Sequence, residues 1–227
     1  MYRLYIANKT YSSWSLRGWL CMKLSGAPFE QVEVQLGGAT PNPAFFAFSP
    51  NGLVPCLHDG EWVVWESLAM AEYLAERHPG MWPDDRRARA FARSMCSEMH
   101  AGFRDLRNDM TMCVRERIDV RPWSPALVRD IERIQALWSE ARTRFGAGGP
   151  YLFGPFTIAD AFFAPVAFRF RTYDVHPEGA AGDYWRALLD HAWLREWDEA
   201  ASRETQVIEA DEPRNLYREK LRAAGRL

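Results

Sequence analysis

Hydrophobic periodicity changes kind once along this chain, at His78-Pro-Gly-Met-Trp-Pro83, and that change limits the folds open to it. Before this stretch, short alternating runs take turns with helical ones. After it, apolar residues recur only every three or four positions. The prolines break any helix running into them, and Asp84-Asp85 supply acidic caps for the next one. A linker is therefore expected at residues 80–83, between one domain over 1–79 and a second over 84–227. With 227 residues, 48% of them hydrophobic, the chain can fill two small cores.

The first domain reads as strand 2–7, helix 14–25 closed by Gly26, strand 29–35, an irregular or short helical piece, strands 54–58 and 61–65, and helix 67–77. The strands flanking the first helix should run parallel, and Asp59-Gly60 marks a tight hairpin. The expected product is a mixed four-stranded sheet. In the second domain, Phe91, Met95, Met99, Phe103, Leu106 and Met110 form one stripe on a helix expected over 86–113. Leu127, Ile131, Ile134, Leu137, Ala141 and Phe145 form another, separated from the first by Pro122 and Pro125. Gly146-Ala-Gly-Gly-Pro150 lacks the lysine and serine of a phosphate loop and reads as a turn. Thr157-Ile-Ala-Asp160 has the form of a capping box opening an apolar helix to Tyr173, and two short helices follow around Trp185 and Trp193. The charged tail from Glu204 to Leu227 is expected as a loosely packed helix or a partly mobile segment.

Charge narrows the partners. Net charge is -2, and 28 basic residues are interspersed with 30 acidic ones, so no field gathers nucleic acid or an anionic membrane. No run approaches the roughly 18 apolar residues of a membrane helix, and Met1-Tyr-Arg-Leu-Tyr-Ile6 enters a strand with no apolar signal core. The expectation is a cytoplasmic protein acting on a small molecule. Cys21, Cys56, Cys96 and Cys113 show no CxxC spacing and read as buried, reduced thiols rather than redox or metal ligands.

Tyr11-Ser-Ser-Trp-Ser-Leu-Arg17 places three hydroxyls where the first strand gives way to a helix. The unpaired amides there suit an anion, although an ordinary serine N-cap explains the same residues. Taken with Val54-Pro55 before the third strand, Glu66-Ser67 opening the third helix and the later capping box, this turn resembles the cytosolic glutathione transferases over residues 2–203. Within them it is most similar to the serine-type branch that includes the zeta class. The resemblance implies a thioredoxin-like α/β domain followed by an all-α helical-bundle domain, a homodimer, and glutathione as co-substrate with no metal or flavin.

The same resemblance implies roles. Val54 would pair its backbone with the cysteinyl part of glutathione beside a cis Pro55, Glu66 would meet the ammonium, and Ser67 the γ-glutamyl carboxylate. Ser12, five residues before Arg17, would donate to the thiolate, with Ser13 as the runner-up. Lowering a thiol pKa by two units from about 8.5 requires roughly 2.7 kcal/mol, which one charge-assisted hydrogen bond and a helix N-terminus can supply. Arg17 is expected as a structural ion-pair residue. The electrophile pocket is expected between Tyr11 and Trp14 and the helix carrying Met99, His100, Phe103, Arg104, Arg107 and Met110. Trp14 stands where zeta-like enzymes commonly have Cys, Gly52-Leu53 replaces polar residues common before the Val-Pro, and Arg169 and Arg171 lie on the helix of the family's substrate arginine without matching its position, which falls at Thr172. The implied function is conjugation of glutathione to a small apolar electrophile, with a maleylacetoacetate isomerase-like enzyme or a non-catalytic binding protein as alternatives.

Overall fold

Alternate residues of β1 (Tyr2–Ile6) are buried, as a strand with one face on a core requires. The computed structural model describes residues 1–37, 40–223 and 225, and places β1 inside a four-stranded sheet. The order is β2-β1-β3-β4, with β2 (Phe29–Glu33) parallel to β1 and β3 (Cys56–Asp59) antiparallel to it. β4 (Trp62–Trp65) returns from β3 as a hairpin through Gly60, at φ 61°. The mixed sheet read from the sequence is therefore present.

α1 (Ser13–Ser25) connects β1 to β2, with Ser12 at its N-cap and Gly26 ending it in the left-handed conformation. It lies close over the loop entering β3. A Cβ on Gly18 would stand 2.7 Å from Pro55 Cβ, so only glycine lets the helix come this near. The Val54–Pro55 peptide bond is cis. A 3₁₀ turn at Pro43–Ala47 and α2 (Ser67–Ala75) complete the sheet's surroundings.

The helical part opens with α3 (Arg86–Ala101), capped by Asp85 at Arg87 N and Ala88 N. The single helix expected over 86–113 is broken here. Gly102 leaves the helical conformation and Phe103 turns left-handed at φ 59°, before α4 (Arg104–Asp109) starts again. The Asp130 carboxylate accepts from Leu106 N at 3.0 Å in the new first turn, a partner that periodicity does not reveal. α5 (Pro125–Phe145) carries the second stripe, buried except for the half-buried Phe145.

α6 (Ile158–Thr172) is buried along every residue but Arg171 and packs against α1, α3, α7 (Gly179–Leu189) and, through α7, the short α8 (Ala192–Ser202). Its capping box is formed: Asp160 accepts from Thr157 N at 2.8 Å and Thr157 Oγ1 at 3.1 Å, and also from Leu152 N at 3.1 Å. The four cysteines are buried and unpaired.

The tail forms short helical pieces with Pro213 and Leu221 as its buried residues among those described. Glu204 and Gln206 bond to Asn8, Lys9, Thr10 and Leu36 of the sheet domain before α9 (Pro213–Leu216) and α10 (Arg218–Ala223), and Leu221 is 3% exposed. Residues 224, 226 and 227 lie outside the described residues.

Removing the Asp160 carboxylate strands buried donors, so Asp160→Ala is expected to destabilise by about 2–3 kcal/mol, measured by denaturant unfolding. Burial pushes this carboxyl up to about 6 from 3.8, with the bonds from Thr157 and Leu152 pulling back. The folded state thus holds the proton more firmly than the unfolded one. Its contribution is fully present below pH 3.8 and is lost as pH rises through about 6. Asp160→Asn should remove this downward component, so that its unfolding midpoint falls less, or rises more, than wild type across that window.

Candidate functional site

A cavity of about 710 Å³ opens between the N-terminal end of α1, the loop before β3, the start of α2 and the C-terminal segment. Tyr11, Ser12, Ser13, Trp14, Val54, Pro55, Glu66 and Ser67 all line it. Eight residues chosen from scattered sequence positions therefore share one wall system.

The serine turn is held from inside. Ser12 Oγ accepts from Ser15 N at 3.3 Å and donates to Ser15 Oγ at 2.7 Å, while Ser15 Oγ accepts from Ala7 N at 2.9 Å. Either hydroxyl of the Ser12–Ser15 pair is able to donate to the other. If Ser15 donates, Ser12 keeps a proton for an anion in the cavity, reinforced by the chain behind it. Ser13 Oγ accepts from Arg169 at 3.2 Å, so its own proton is free. Arg169 is 6% exposed and also donates to Met110 O; burial first, then Arg107, lowers its pKa to about 10.

At the far end, Ser67 is 1% exposed at the N-terminus of α2, and its Oγ has no partner among the described residues. Such a hydroxyl beside unpaired amides suits a carboxylate. Glu66 precedes it at φ 67°, a conformation that L-residues seldom adopt, and also lines the cavity. Its carboxylate accepts from Asn51 Nδ2 at 3.1 Å and lies 3.7 Å from His100 Nε2. Val54 lies beyond the ladder that pairs Cys56 with Tyr5, next to the cavity.

The helical side of the expected pocket is corrected by the structure. Met99, Phe103 and Met110 are buried in the core, Arg104 is exposed, and none of them lines the cavity. Their stripe packs the bundle, as an apolar face at helical spacing must. His100 and Arg107 stand behind Trp14 instead: the His100 ring meets the indole edge-on at 5.3 Å and the Arg107 guanidinium lies 4.9 Å over it. Burial, followed by the Arg17 charge, lowers the His100 pKa.

Arg17 is not an ion-pair residue. Its side chain is 1% exposed, stacks 4.5 Å from Trp14 and 5.1 Å from Phe162, and none of its three nitrogens has a hydrogen-bond partner among the described residues. Burial drives its pKa down, and Arg107 and Arg169 drive it further. Arg171 pairs with Asp198 at 2.5 Å and is not among the residues lining the cavity.

Sequence reasoning missed two stretches of the lining, one at Leu36, Gly37, Thr40, Asn42, Phe45 and Asn51 and one in the C-terminal segment. Ile208, Ala210 and Asp211 line the cavity from the C-terminal segment. The Glu204 carboxylate accepts from Lys9 N at 2.6 Å and Thr10 N at 2.9 Å, and Gln206 bonds Asn8 and Leu36 O. Arg115 donates to Glu204 O at 2.6 Å and to the Tyr11 hydroxyl at 2.9 Å, and that hydroxyl donates to Glu212. These anchors are polar and lie between 89 and 201 residues from their partners, so no local pattern announces them.

Family models described as the glutathione S-transferase N-terminal and C-terminal domains match residues 11–77 and 115–200. A zeta-class glutathione S-transferase of Euphorbia esula is 41% identical over 69 residues, 30% of this chain and 31% of that protein. The chain spans about a third of the length of the first curated relatives it matches. A maleylacetoacetate isomerase of Rattus norvegicus is 25% identical over 195 residues, covering 82% of this chain and 87% of that one. Among solved structures, a Burkholderia glutathione transferase homologue with bound glutathione superposes with a TM-score of 0.65 at 22% identity, over 89% of this chain and 98% of that chain.

Because Glu204 secures the segment through two backbone amides, Glu204→Ala is expected to free residues 205–212. Limited proteolysis or hydrogen exchange should show that segment opening at a loss of about 1–3 kcal/mol, with the sheet unaffected.

Proposed function

The chain belongs to the glutathione S-transferase family, and we propose on that premise that it activates the glutathione thiol for attack on a small apolar electrophile. The observation that carries this is the convergence on one cavity of the Ser12 cap, the Val54 backbone and the unpartnered Ser67 hydroxyl beside Glu66. These groups match two of the three residues of the tripeptide, the γ-glutamyl and the cysteinyl. Ser67 and the first amides of α2 receive the γ-glutamyl carboxylate, Glu66 receives its ammonium, and Val54 pairs with the cysteinyl backbone. That places the sulfur at the serine turn. Ser12 donates to the thiolate with Ser15 turning to donate behind it, and the positive end of α1 adds its share. The hydroxyl is a donor rather than a nucleophile, since sulfur is the better nucleophile. Trp14 and Ile208 wall the electrophile side, and Asn42 and Asn51 supply polar groups near Gly52-Leu53.

In this reading residues 1–79 form the glutathione-binding unit, 84–227 the helical unit and 80–83 the linker, in a cytoplasmic homodimer. A second reading, glutathione-dependent isomerisation of a small unsaturated acid, is favoured by the match to the rat isomerase across most of the chain.

Saturating glutathione, at 100 times its dissociation constant, should stabilise the protein by about 2.7 kcal/mol in a thermal shift. No shift at about 10 mM would favour a non-catalytic protein. Turnover of a maleyl substrate but not of a chloronitrobenzene would select isomerisation. Ser12→Ala should raise the pKa of bound glutathione by roughly one to two units with little loss of affinity. The same shift from Ser13→Ala alone would move the donor role to Ser13.

A further inference from the structure

Of the C-terminal residues on the cavity wall, Ile208, Ala210 and Asp211, one carries an ionisable side chain. Asp211 is firmly placed. Its N–H donates to Ile208 O at 2.9 Å, its carbonyl accepts from Thr111 Oγ1 at 2.9 Å, and the next residue, Glu212, takes the Tyr11 hydroxyl. Two charged groups act on its carboxyl: Arg169 from α6 attracts a negative charge there, and the neighbouring Glu212 opposes it. Arg169 is the side chain that donates to Ser13, so the charge acting on the carboxyl also sits against the serine turn.

The hydroxyls of the turn can hold a thiolate but cannot carry its proton away at neutral pH, and Glu66 is already engaged by Asn51. We propose that Asp211 relays the thiol proton, taking it from bound glutathione and returning it to the carbanion formed when the thiolate adds to an α,β-unsaturated carbonyl compound. This rests on the glutathione-conjugating reading above. In the first step the S–H bond breaks, its electron pair stays on sulfur, and the proton joins a carboxylate oxygen of Asp211. In the second, that pair forms the C–S bond while the alkene pair moves to the carbon next to the carbonyl. That carbon then takes the proton from Asp211, and the carboxylate is restored with no other reactant.

Burial pushes the Asp211 carboxyl up from its ordinary value, and Arg169 limits the rise. Isomerisation by addition and elimination protonates no carbanion, so the relay serves conjugation.

The test compares wild type, Asp211→Asn and Asp211→Glu, using glutathione with an α,β-unsaturated ketone, and S-methylglutathione as a binding probe. Asp211→Asn should lower kcat roughly 100-fold and lose the low-pH limb of the rate profile. S-methylglutathione affinity should stay unchanged, and Asp211→Glu should recover most of the rate. An unchanged rate and pH profile in Asp211→Asn would overturn the relay, as would equal losses in both variants accompanied by weaker S-methylglutathione binding, which would make Asp211 structural. A wild type that neither binds S-methylglutathione nor turns over glutathione would overturn the conjugating reading itself, and the relay with it.

Discussion

Packing of α1 against both the sheet and α6 couples the two cores at the serine turn. On the sheet side Gly18 lies against Pro55, which brings the turn beside Val54. On the helical side Arg17 stacks on Phe162, Arg169 reaches Ser13, and Trp19 meets Trp197 at 5.3 Å. A turn gripped from both directions keeps its hydroxyls in place without depending on loop order. That is the condition for a preorganised donor set. Displacing α1 would separate the serines from Val54 and Ser67 together.

The same packing has an electrostatic consequence. Arg17, Arg107 and Arg169 each lose water, and Arg107 and Arg169 both lower the Arg17 pKa. Buried charge without a partner costs several kcal/mol, and cation–π stacking on Trp14 and Phe162 offsets only part, at about 2 kcal/mol per desolvated contact. What remains is a positive region behind the turn. In the proposed reaction it favours the ionised sulfur over the neutral thiol, so groups outside the cavity wall add to the work of Ser12. Trp14, a departure from the zeta-like pattern, stands between that region and the cavity.

How far the site was legible depended on whether its residues act through local chemistry. Ser12 as an N-cap, Gly26 as a helix stop, Glu66-Ser67 at a helix start and the Thr157–Asp160 box are each set by neighbours within a few residues, and they stand where the pattern puts them. The apolar stripe from Phe91 to Met110 was legible as core but not as two helices. Gly102 and Phe103 turn the chain while the spacing of buried residues continues. Arg17 looked like an ion-pair residue because a buried charge ordinarily finds one; stacking on aromatic rings replaced it.

The sequence by itself determined the succession of elements, the parallel and hairpin pairings of the sheet and the caps, while its resemblance to the glutathione transferases supplied the residues along one side of the cavity. Periodicity, glycine and proline punctuation and side-chain capping are short-range, so they survive in a single string of residues. Tertiary structure alone decided which side of Trp14 faces the cavity and which faces Arg17 and Arg107, and that residues 204–212 close the site with Asp211 on its wall. Those outcomes rest on carboxylate-to-amide and guanidinium-to-carbonyl bonds between distant segments, such as Glu204 to Thr10 and Arg115 to Gln206, whose energies exist only once the chain has folded.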